Sequence, residues 1–323
     1  MLFWQELGYT ARKEKGYEMT QKHIPVLLEP VICCLSPEQG GVFVDGTFGA
    51  GGYTRAILDA NPATKVIAFD RDATVLPTVR QFQDEFKDRF VFIQDCFGEV
   101  SKYIKEPVDG FVLDIGVSSM QIDDPERGFS FRFDGPLDMR MSGQGISAAD
   151  IINNWPEEKL ADILYRYGEE KASRKIARAI TNARPLYTTL QLAEVIHSVM
   201  PRPKDGSDSA MRSFQALRIA VNDELGELER ALSASSQILK AGGRLVVVSF
   251  HSLEDRIVKE FLKQNSGKTT HQNKYALQKQ SCEDGAFIVP DKKPIVADDK
   301  ELKKNPRSHS SKLRWAIRTE NVS

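Results

Sequence analysis

The chain has 323 residues, which is long for one compact core and suits two domains. Its 44 basic and 45 acidic residues nearly cancel, so any contact with nucleic acid has to come from local patches. No apolar run approaches the roughly 20 residues of a membrane span. The cysteines show no metal-binding or disulfide-framework spacing, so we expect reduced thiols in a cytoplasmic protein with no metal site. They are Cys33, Cys34, Cys96 and Cys282.

The N-terminal segment carries Arg12, Lys13 and Lys15 with no hydrophobic stretch behind them, which is unlike a signal peptide. We expect residues 1–22 to be a disordered leader, with Met19 as a second candidate start. Residues 24–35 then predict a short lead-in and an amphipathic helix.

Beyond this helix, apolar runs alternate with helical patterns. Predicted strands cover 42–45, 65–70, 89–95 and 108–114, and predicted helices run from 54, over 72–86 and over 98–105. This alternation is typical of a parallel sheet covered by helices on both faces, with ligands at the carboxyl ends of the strands. The sequence therefore predicts a Rossmann-like α/β domain.

The connection after the first strand is rich in glycine. The glycines are Gly46, Gly49, Gly51 and Gly52. A dinucleotide-binding loop would need a further glycine where this chain has Thr54. Asp45 at the strand end suits a ligand with an ammonium group, and Asp70 at the end of the next strand is placed to accept both hydroxyls of a ribose. An amino acid joined to a ribose indicates S-adenosylmethionine, with an ordinary glycine-rich turn as the alternative.

Two stretches after the third and fourth strands carry further candidates. Phe97 is placed to lie against an adenine ring or to join the core. Asp114 ends the fourth strand, and a long loop over 115–146 follows. That loop holds residue types that stack on bases and pair with phosphates, namely Arg127, Phe129, Phe131, Arg132, Phe133 and Arg140. We expect RNA contacts here, against the alternative of a loop packed on its own side chains.

Residues 147–200 read as a helical insert, closed by residues 201–206. Its most distinctive feature is a basic stripe at helical spacing, made of Lys171, Arg174, Lys175 and Arg178. The stripe is either a phosphate-binding surface or a solvated helix face.

The sheet pattern then resumes. Residues 241–243 predict the end of a helix, and 244–250 predict a buried strand. His251 follows as a site residue or a structural histidine. Residues 264–300 are polar and predict a mobile excursion.

The C-terminal stretch predicts a final strand over residues 313–318. Its approach is cationic, since residues 302–318 contain no acid. Arg307 is therefore a second candidate for RNA phosphates.

Together these residues resemble the bacterial RsmH/MraW family, S-adenosylmethionine-dependent methyltransferases that modify a cytidine N4 in small-subunit ribosomal RNA. The matching segments include 45–49, 70–72, 114–119, 127–141, 167–170, 214–219, 249–256 and 305–308. Because this set covers nearly the whole chain in one order, the resemblance is specific.

The resemblance implies cofactor contacts beyond Gly49 of the glycine loop. They fall on Gly51, Gly52, Tyr53, Asp70, Phe97, Asp114 and Gln121. Tyr53 stands where the family typically has histidine, and Met120 where proline is common. The family's architecture implies a methyltransferase domain from 23–117 and 222–323, with a substrate-recognising insert over 118–221.

The implied partner is RNA in an assembled or nearly assembled small ribosomal subunit, and the residues leave a homodimer open. Our hypothesis is that Asp114, helped by Ser118, faces the target amine while Asp70 holds the ribose. The cytidine would be splayed from its stack and received by the phenylalanines of the long loop. A DNA amino-methyltransferase and a non-catalytic RNA-binding assembly factor are the alternatives.

Overall fold

The computed structural model describes residues 25–200, 208–266 and 285–320. The predicted leader, the segment 201–206 and Cys282 lie outside these residues. Eight strands in the described part of the chain form one sheet. They are β1 (Gly41–Asp45), β2 (Thr64–Phe69), β3 (Phe90–Ile93), β4 (Val108–Asp114), β5 (Leu239–Ser249), β6 (Phe287–Ile288), β7 (Ile295–Val296) and β8 (Lys312–Arg318).

The strand order across the sheet is β3-β2-β1-β4-β5-β8-β6, and β7 pairs with β8 as well. Strands β1 to β5 are parallel to their neighbours, and β8 runs antiparallel to β5. The predicted parallel sheet with helices on both faces is confirmed. Because β1 to β5 are parallel, their carboxyl ends lie at one edge of the sheet.

The central strands are buried on both faces, as their continuous apolar runs predict. Phe43 of β1 packs in one hydrophobic core and Val44 in the other. The same alternation holds in β4, where Val112 and Leu113 enter opposite cores. These two cores hold the sheet between its layers of helices.

The helices of the described residues are as follows. They are α1 (Leu28–Leu35), α2 (Gly52–Ala60), α3 (Leu76–Phe86), α4 (Val100–Tyr103), α5 (Ser119–Asp123), α6 (Ala148–Asn154), α7 (Glu157–Gly168), α8 (Ser173–Ala183), α9 (Thr189–Val199), α10 (Met211–Asn222), α11 (Glu224–Ile238), α12 (Ser252–Asn265) and α13 (Asp299–Lys304). Helices α1, α2 and α3 contribute to one core, and α4, α11 and α12 to the other. None of these helices has the length and apolar character needed to span a bilayer.

Helices α6 to α10 share a third hydrophobic core, whose buried members run from Phe129 to Leu217. Ile151, Leu164 and Ile180 are each fully buried in it. This arrangement accords with the helical insert, and its proposed limits at 118 and 221 stay a prediction.

One prediction about the C-terminal half is wrong, and a second, the excursion over 264–300, is wrong for its described part, since residues 267–284 lie outside the described residues. Residues 241–243 do not end a helix, since α11 stops at Ile238 and β5 follows at once. Val108 faces Leu239 and Gly110 faces Arg244, so the intervening residues form a bulge, where Gly242 takes a φ of 79°. Gly242 and Gly243, which resemble the end of a helix in the sequence, therefore form part of a bulge within β5.

The second correction concerns the polar excursion over 264–300. Its described portion contains β6, β7 and the start of α13. Both short strands pair with β8, and their four residues are apolar. Phe287 is buried in the core shared with α12, so strand pairing and burial order this part of an otherwise polar stretch.

Candidate active site

A cleft that is partly open to solvent runs along the carboxyl ends of β1 to β4. Parallel strands ending at one edge bring their following loops together, so distant residues meet here. The predicted site residues that line it are Gly49, Gly52, Tyr53, Asp70, Phe97, Asp114, Ser118 and Gln121. Gly51 lies just behind this wall.

The loop after β1 is shaped by its glycines. Gly49 and Gly51 have φ angles of 52° and 79°, which favour glycine. A Cβ on Gly51 would lie 2.5 Å from the Phe82 ring, and one on Gly52 would lie 2.0 Å from Pro25. At Gly49 a Cβ would meet nothing nearer than 3.9 Å. The loop is therefore tightly packed beneath and open at Gly49.

Asp45 was predicted to meet an ammonium group, and the structure corrects this. Its side chain is fully buried and is not part of the cleft wall. One oxygen accepts from the Thr54 hydroxyl at 2.7 Å and the other from the Thr47 backbone N–H at 3.0 Å. Burial raises the pKa of Asp45 despite these bonds. The carboxyl group therefore fixes the loop from within.

Asp70 lines the cleft and holds the same loop from the other side. Its carboxylate accepts from the Gly49 N–H at 2.8 Å and from the Asp72 N–H at 2.9 Å. Burial raises its pKa to about 6, against the lowering effect of these two bonds. Each oxygen keeps lone-pair capacity for a further donor, as a ribose hydroxyl would require.

Asp114 differs from both. Its backbone N–H donates to the Thr47 hydroxyl at 2.8 Å, but its Oδ1 atom is shielded from solvent and has no hydrogen-bond partner among the described residues. Burial raises its pKa well above the usual value, and the negative charges of Asp45 and Glu254 raise it further. An unpaired buried acceptor is costly, and at a cleft wall it is suited to a ligand donor.

Three other predicted residues have defined structural contacts. The Tyr53 hydroxyl donates to the Val26 carbonyl within the core, so its side chain anchors the segment before α1. Ser118 caps α5 by accepting from the Gln121 N–H at 3.2 Å, and the Gln121 amide oxygen accepts from the Ser118 N–H at 3.0 Å. The loop after β4 is thereby held rigid at the cleft.

A model of the MraW methylase family matches residues 20–319. The chain belongs to the MraW methylase family. A relative from Paramagnetospirillum magneticum is 53% identical over 93% of this chain and 96% of its own length. Relatives from Methylobacterium nodulans and Cereibacter sphaeroides are each 52% identical, over 92% of this chain and over 91% and 90% of their own lengths. All three are named ribosomal RNA small subunit methyltransferase H.

Membership of the MraW family confirms the predicted class, an S-adenosylmethionine-dependent methyltransferase with a Rossmann-like sheet. The cleft fits this cofactor. The loop is open at Gly49, and Asp70 has capacity for ribose hydroxyls. Phe97 lines the cleft at the end of β3, where we placed the adenine.

Three residues of the long loop after β4 that were predicted to contact RNA have structural partners, and their contact with RNA stays a prediction. Arg127 pairs with Asp72 at 2.9 Å and is largely buried, because it holds the loop together. Phe129 is 9% exposed and belongs to the helical core. Phe131 packs edge-on against Phe214, with ring centroids 5.6 Å apart. Two of the three phenylalanine rings of this loop, Phe129 and Phe131, therefore pack against the core of the helical insert.

Other residues of that loop remain at the surface. Phe133 is 47% exposed. Arg132 is exposed, and the described residues offer it no ion pair. Arg140 pairs with Asp138 at 2.7 Å. Contact of Arg132 and Arg140 with RNA stays a prediction.

The basic stripe is exposed, although α8 begins at Ser173, so Lys171 precedes the helix. Arg178 lies 3.3 Å from Glu157, whereas Lys171, Arg174 and Lys175 have no ion pair among the described residues. Arg307 lines the cleft and pairs with Asp123 at 2.8 Å. A role for these residues on RNA stays a prediction.

Sequence reasoning missed two residues that organise the MraW cleft, Arg71 and Asp72. Asp72 accepts from the Gln121 side-chain amide at 2.7 Å and from Arg127 at 2.9 Å. Arg71 donates to the Asn222 carbonyl at 2.8 Å. The alternation of acid, base and acid directly after a strand was the available signal.

His251 lies in a charged cluster beside the cleft. It caps α12, and its Nε2 atom is 2.9 Å from Glu254 Oε1. Glu224 has a potential ligand atom within 4.8 Å of those of His251 and Glu254, but Arg218 donates to both of its oxygens at 2.8 and 2.9 Å. Burial would raise the pKa of Glu254, but His251 and Arg218 lower it overall. Within the cluster, His251 and Glu254 close the first turn of α12, and the Arg218–Glu224 ion pair joins α10 to α11.

Proposed function

We propose that this chain transfers the methyl group of S-adenosylmethionine to the N4 amine of a cytidine in small-subunit ribosomal RNA. The observation that carries the substrate class is the similarity to proteins named ribosomal RNA small subunit methyltransferase H over nine-tenths or more of both chains. A ribosomal substrate also accords with a cytoplasmic location.

The choice of an amine is supported by Asp114. An exocyclic cytosine amine is a poor nucleophile because its lone pair is delocalised into the ring. A hydrogen bond from the amine to the unpaired Asp114 Oδ1 atom raises the electron density on nitrogen. In its ionised form, Asp114 can also accept the proton that nitrogen loses after methyl transfer.

The remaining residues hold and orient the reactants. When bound, S-adenosylmethionine supplies the methyl group from its positively charged sulfur. Asp70 and the Gly49 loop hold its ribose side, Phe97 flanks the adenine, and Ser118 keeps the loop after β4 in place beside Asp114. Positioning of this kind supplies much of the rate of a group transfer.

The test is transfer of labelled methyl from S-adenosylmethionine to purified small ribosomal subunits, free ribosomal RNA and duplex DNA, followed by nucleoside analysis. We expect N4-methylcytidine from the subunits. Label on duplex DNA alone would instead indicate a DNA amino-methyltransferase. Cofactor binding without transfer to any of the three would indicate an assembly factor.

A further inference from the structure

Met141 is the one residue between positions 122 and 223, among those the structure describes, that lines the cleft. It is 8% exposed and also belongs to the core of the helical insert. The insert therefore reaches the cleft through a single apolar side chain. Nothing in the proposed mechanism uses it.

Both backbone polar groups of Met141 are hydrogen-bonded to side chains. Its N–H donates to the Asn222 side-chain oxygen at 2.8 Å, and its carbonyl accepts from Arg127 at 3.0 Å. Two residues earlier, Met139 has a φ of 60° and its carbonyl accepts from the Asn222 amide at 2.7 Å. A methionine rarely adopts that conformation, so the surrounding contacts impose it.

The two residues that hold Met141 are themselves held from the cofactor side of the cleft. Arg127 pairs with Asp72, which also accepts from Gln121. The Asn222 carbonyl accepts from Arg71 at 2.8 Å. Asp72 and Arg71 directly follow Asp70, the residue placed to hold the ribose.

Arg71 extends this connection to the adenine side. It donates to the Cys96 sulfur at 2.6 Å, and Cys96 lines the cleft next to Phe97. Two of the anchors of Met141 thus lead through Arg71 and Asp72 to the ends of β2 and β3. Asp72 is also tied through Gln121 to the capped loop after β4.

We propose that Met141 contacts the adenosine part of S-adenosylmethionine and closes the cofactor pocket from the side of the insert. A flexible, polarisable thioether packs well on a flat purine ring. Arg127 and Asn222 act as positioning residues that aim this side chain. The inference rests on the proposed function only for the identity of the ligand.

The experiment is titration calorimetry with S-adenosylhomocysteine on the full-length wild type and on Met141→Ala, Met141→Leu and Met211→Ala. Met211 is 45% exposed and is not in the cleft wall, so it is the matched control. We expect Met141→Ala to bind about tenfold more weakly, because a buried apolar contact is lost. Met141→Leu should stay within about threefold of wild type, and Met211→Ala should be unchanged.

A second set of measurements separates contact from folding. Thermal unfolding without ligand reports any structural damage, and Met141→Gln, which keeps the side-chain length, replaces Met141→Ala if the latter does not fold. The Michaelis constant for small subunits should change little at saturating cofactor. An unchanged dissociation constant in folded Met141→Ala, or in Met141→Gln where it replaces Met141→Ala, would overturn the proposal. So would an unchanged dissociation constant with a raised Michaelis constant for subunits, which would place Met141 against the target nucleotide. Failure of the wild type to bind S-adenosylhomocysteine would count against the proposed function as well.

Discussion

Strands β1 and β4 each end in an aspartate, fully buried at Asp45 and half-buried at Asp114, and the two side chains are hydrogen-bonded in opposite ways. Asp45 has both oxygens occupied by Thr47 and Thr54 of its own loop. Asp114, on the adjacent parallel strand, has an oxygen with no partner among the described residues. Both sites raise the pKa through burial.

This difference distinguishes a carboxyl group with a structural role from one that is available to a ligand. A buried carboxyl group whose acceptors are filled from within stabilises the loop that contains it. A buried carboxyl group left unpaired costs stability, and such a cost is typical of a position that a ligand completes. The sequence motif alone does not distinguish the two, since both residues end apolar strands.

The largest effect on stability is expected from Asp45→Ala. The substitution leaves the Thr54 hydroxyl and the Thr47 N–H buried without an acceptor, and we expect a loss of about 3 kcal/mol in the free energy of unfolding. Asp59→Ala, at an exposed position on α2, is the control. Urea unfolding curves that coincide for the two variants would break the comparison.

A somewhat smaller loss is expected from Arg127→Ala, because it leaves Asp72 buried with its charge less well paired. We expect a loss of about 2 kcal/mol, less than for a fully buried ion pair, because Gln121 and Thr74 still donate to Asp72. Arg132→Ala, in the same loop but exposed, should unfold like the wild type. If Arg127→Ala is as stable as the wild type but binds RNA more weakly, the predicted contact of Arg127 with RNA would be supported instead.

Much of the fold could be predicted from sequence because local patterns determine it. The apolar run of β4 was placed at its observed limits, and β1 and β2 begin within one residue of prediction. The contacts that decide residue roles are not local. Arg127 meets Asp72 across 55 positions, and nothing in the spacing of the long loop shows that pairing.

The candidate site was predicted as a set of strand-end residues, and the structure brings them to one cleft. Which of them a ligand uses depends on hydrogen bonds that form only after folding. Asp45 was assigned to the ligand because it ends a strand. In the structure its carboxyl group already accepts a hydrogen bond from the hydroxyl of Thr54, in the first turn of α2. Met141 carried no signal, since its position depends on Asn222 from α10.

A moderate effect is expected from pH on cofactor affinity. The pKa of Asp70 is raised to about 6, and only its ionised form offers every oxygen lone pair to the ribose. Affinity should therefore fall about tenfold between pH 7 and pH 5 as the carboxylate is protonated. Asp70→Asn should bind weakly with little pH dependence. If calorimetry shows the same fall in cofactor affinity between pH 7 and pH 5 for Asp70→Asn as for the wild type, a group other than Asp70 titrates.

The smallest effect is expected at the basic stripe. Replacing Lys171, Arg174 and Lys175 with alanine should reduce the slope of log affinity against log salt by about 2 if each contacts a phosphate of unpaired RNA. A double variant at the exposed Lys259 and Lys263 of α12 is the control. Filter binding to small subunits at several salt concentrations measures both. Equal slopes would identify the stripe as a solvated face.

The central claim is tested most directly by measuring methyl transfer and unfolding on one preparation of Asp114→Asn. Transfer to small subunits should fall about 10² to 10³-fold, with cofactor affinity within about threefold of wild type. The raised pKa means that folded wild type keeps a proton which the unfolded chain has released, so its stability declines as pH rises above about 4. The variant should therefore be more stable than wild type at pH 8, by a margin that shrinks at pH 5. Retained transfer, or a loss of cofactor binding that accounts for the lost activity, would contradict the assignment of Asp114 to the target amine.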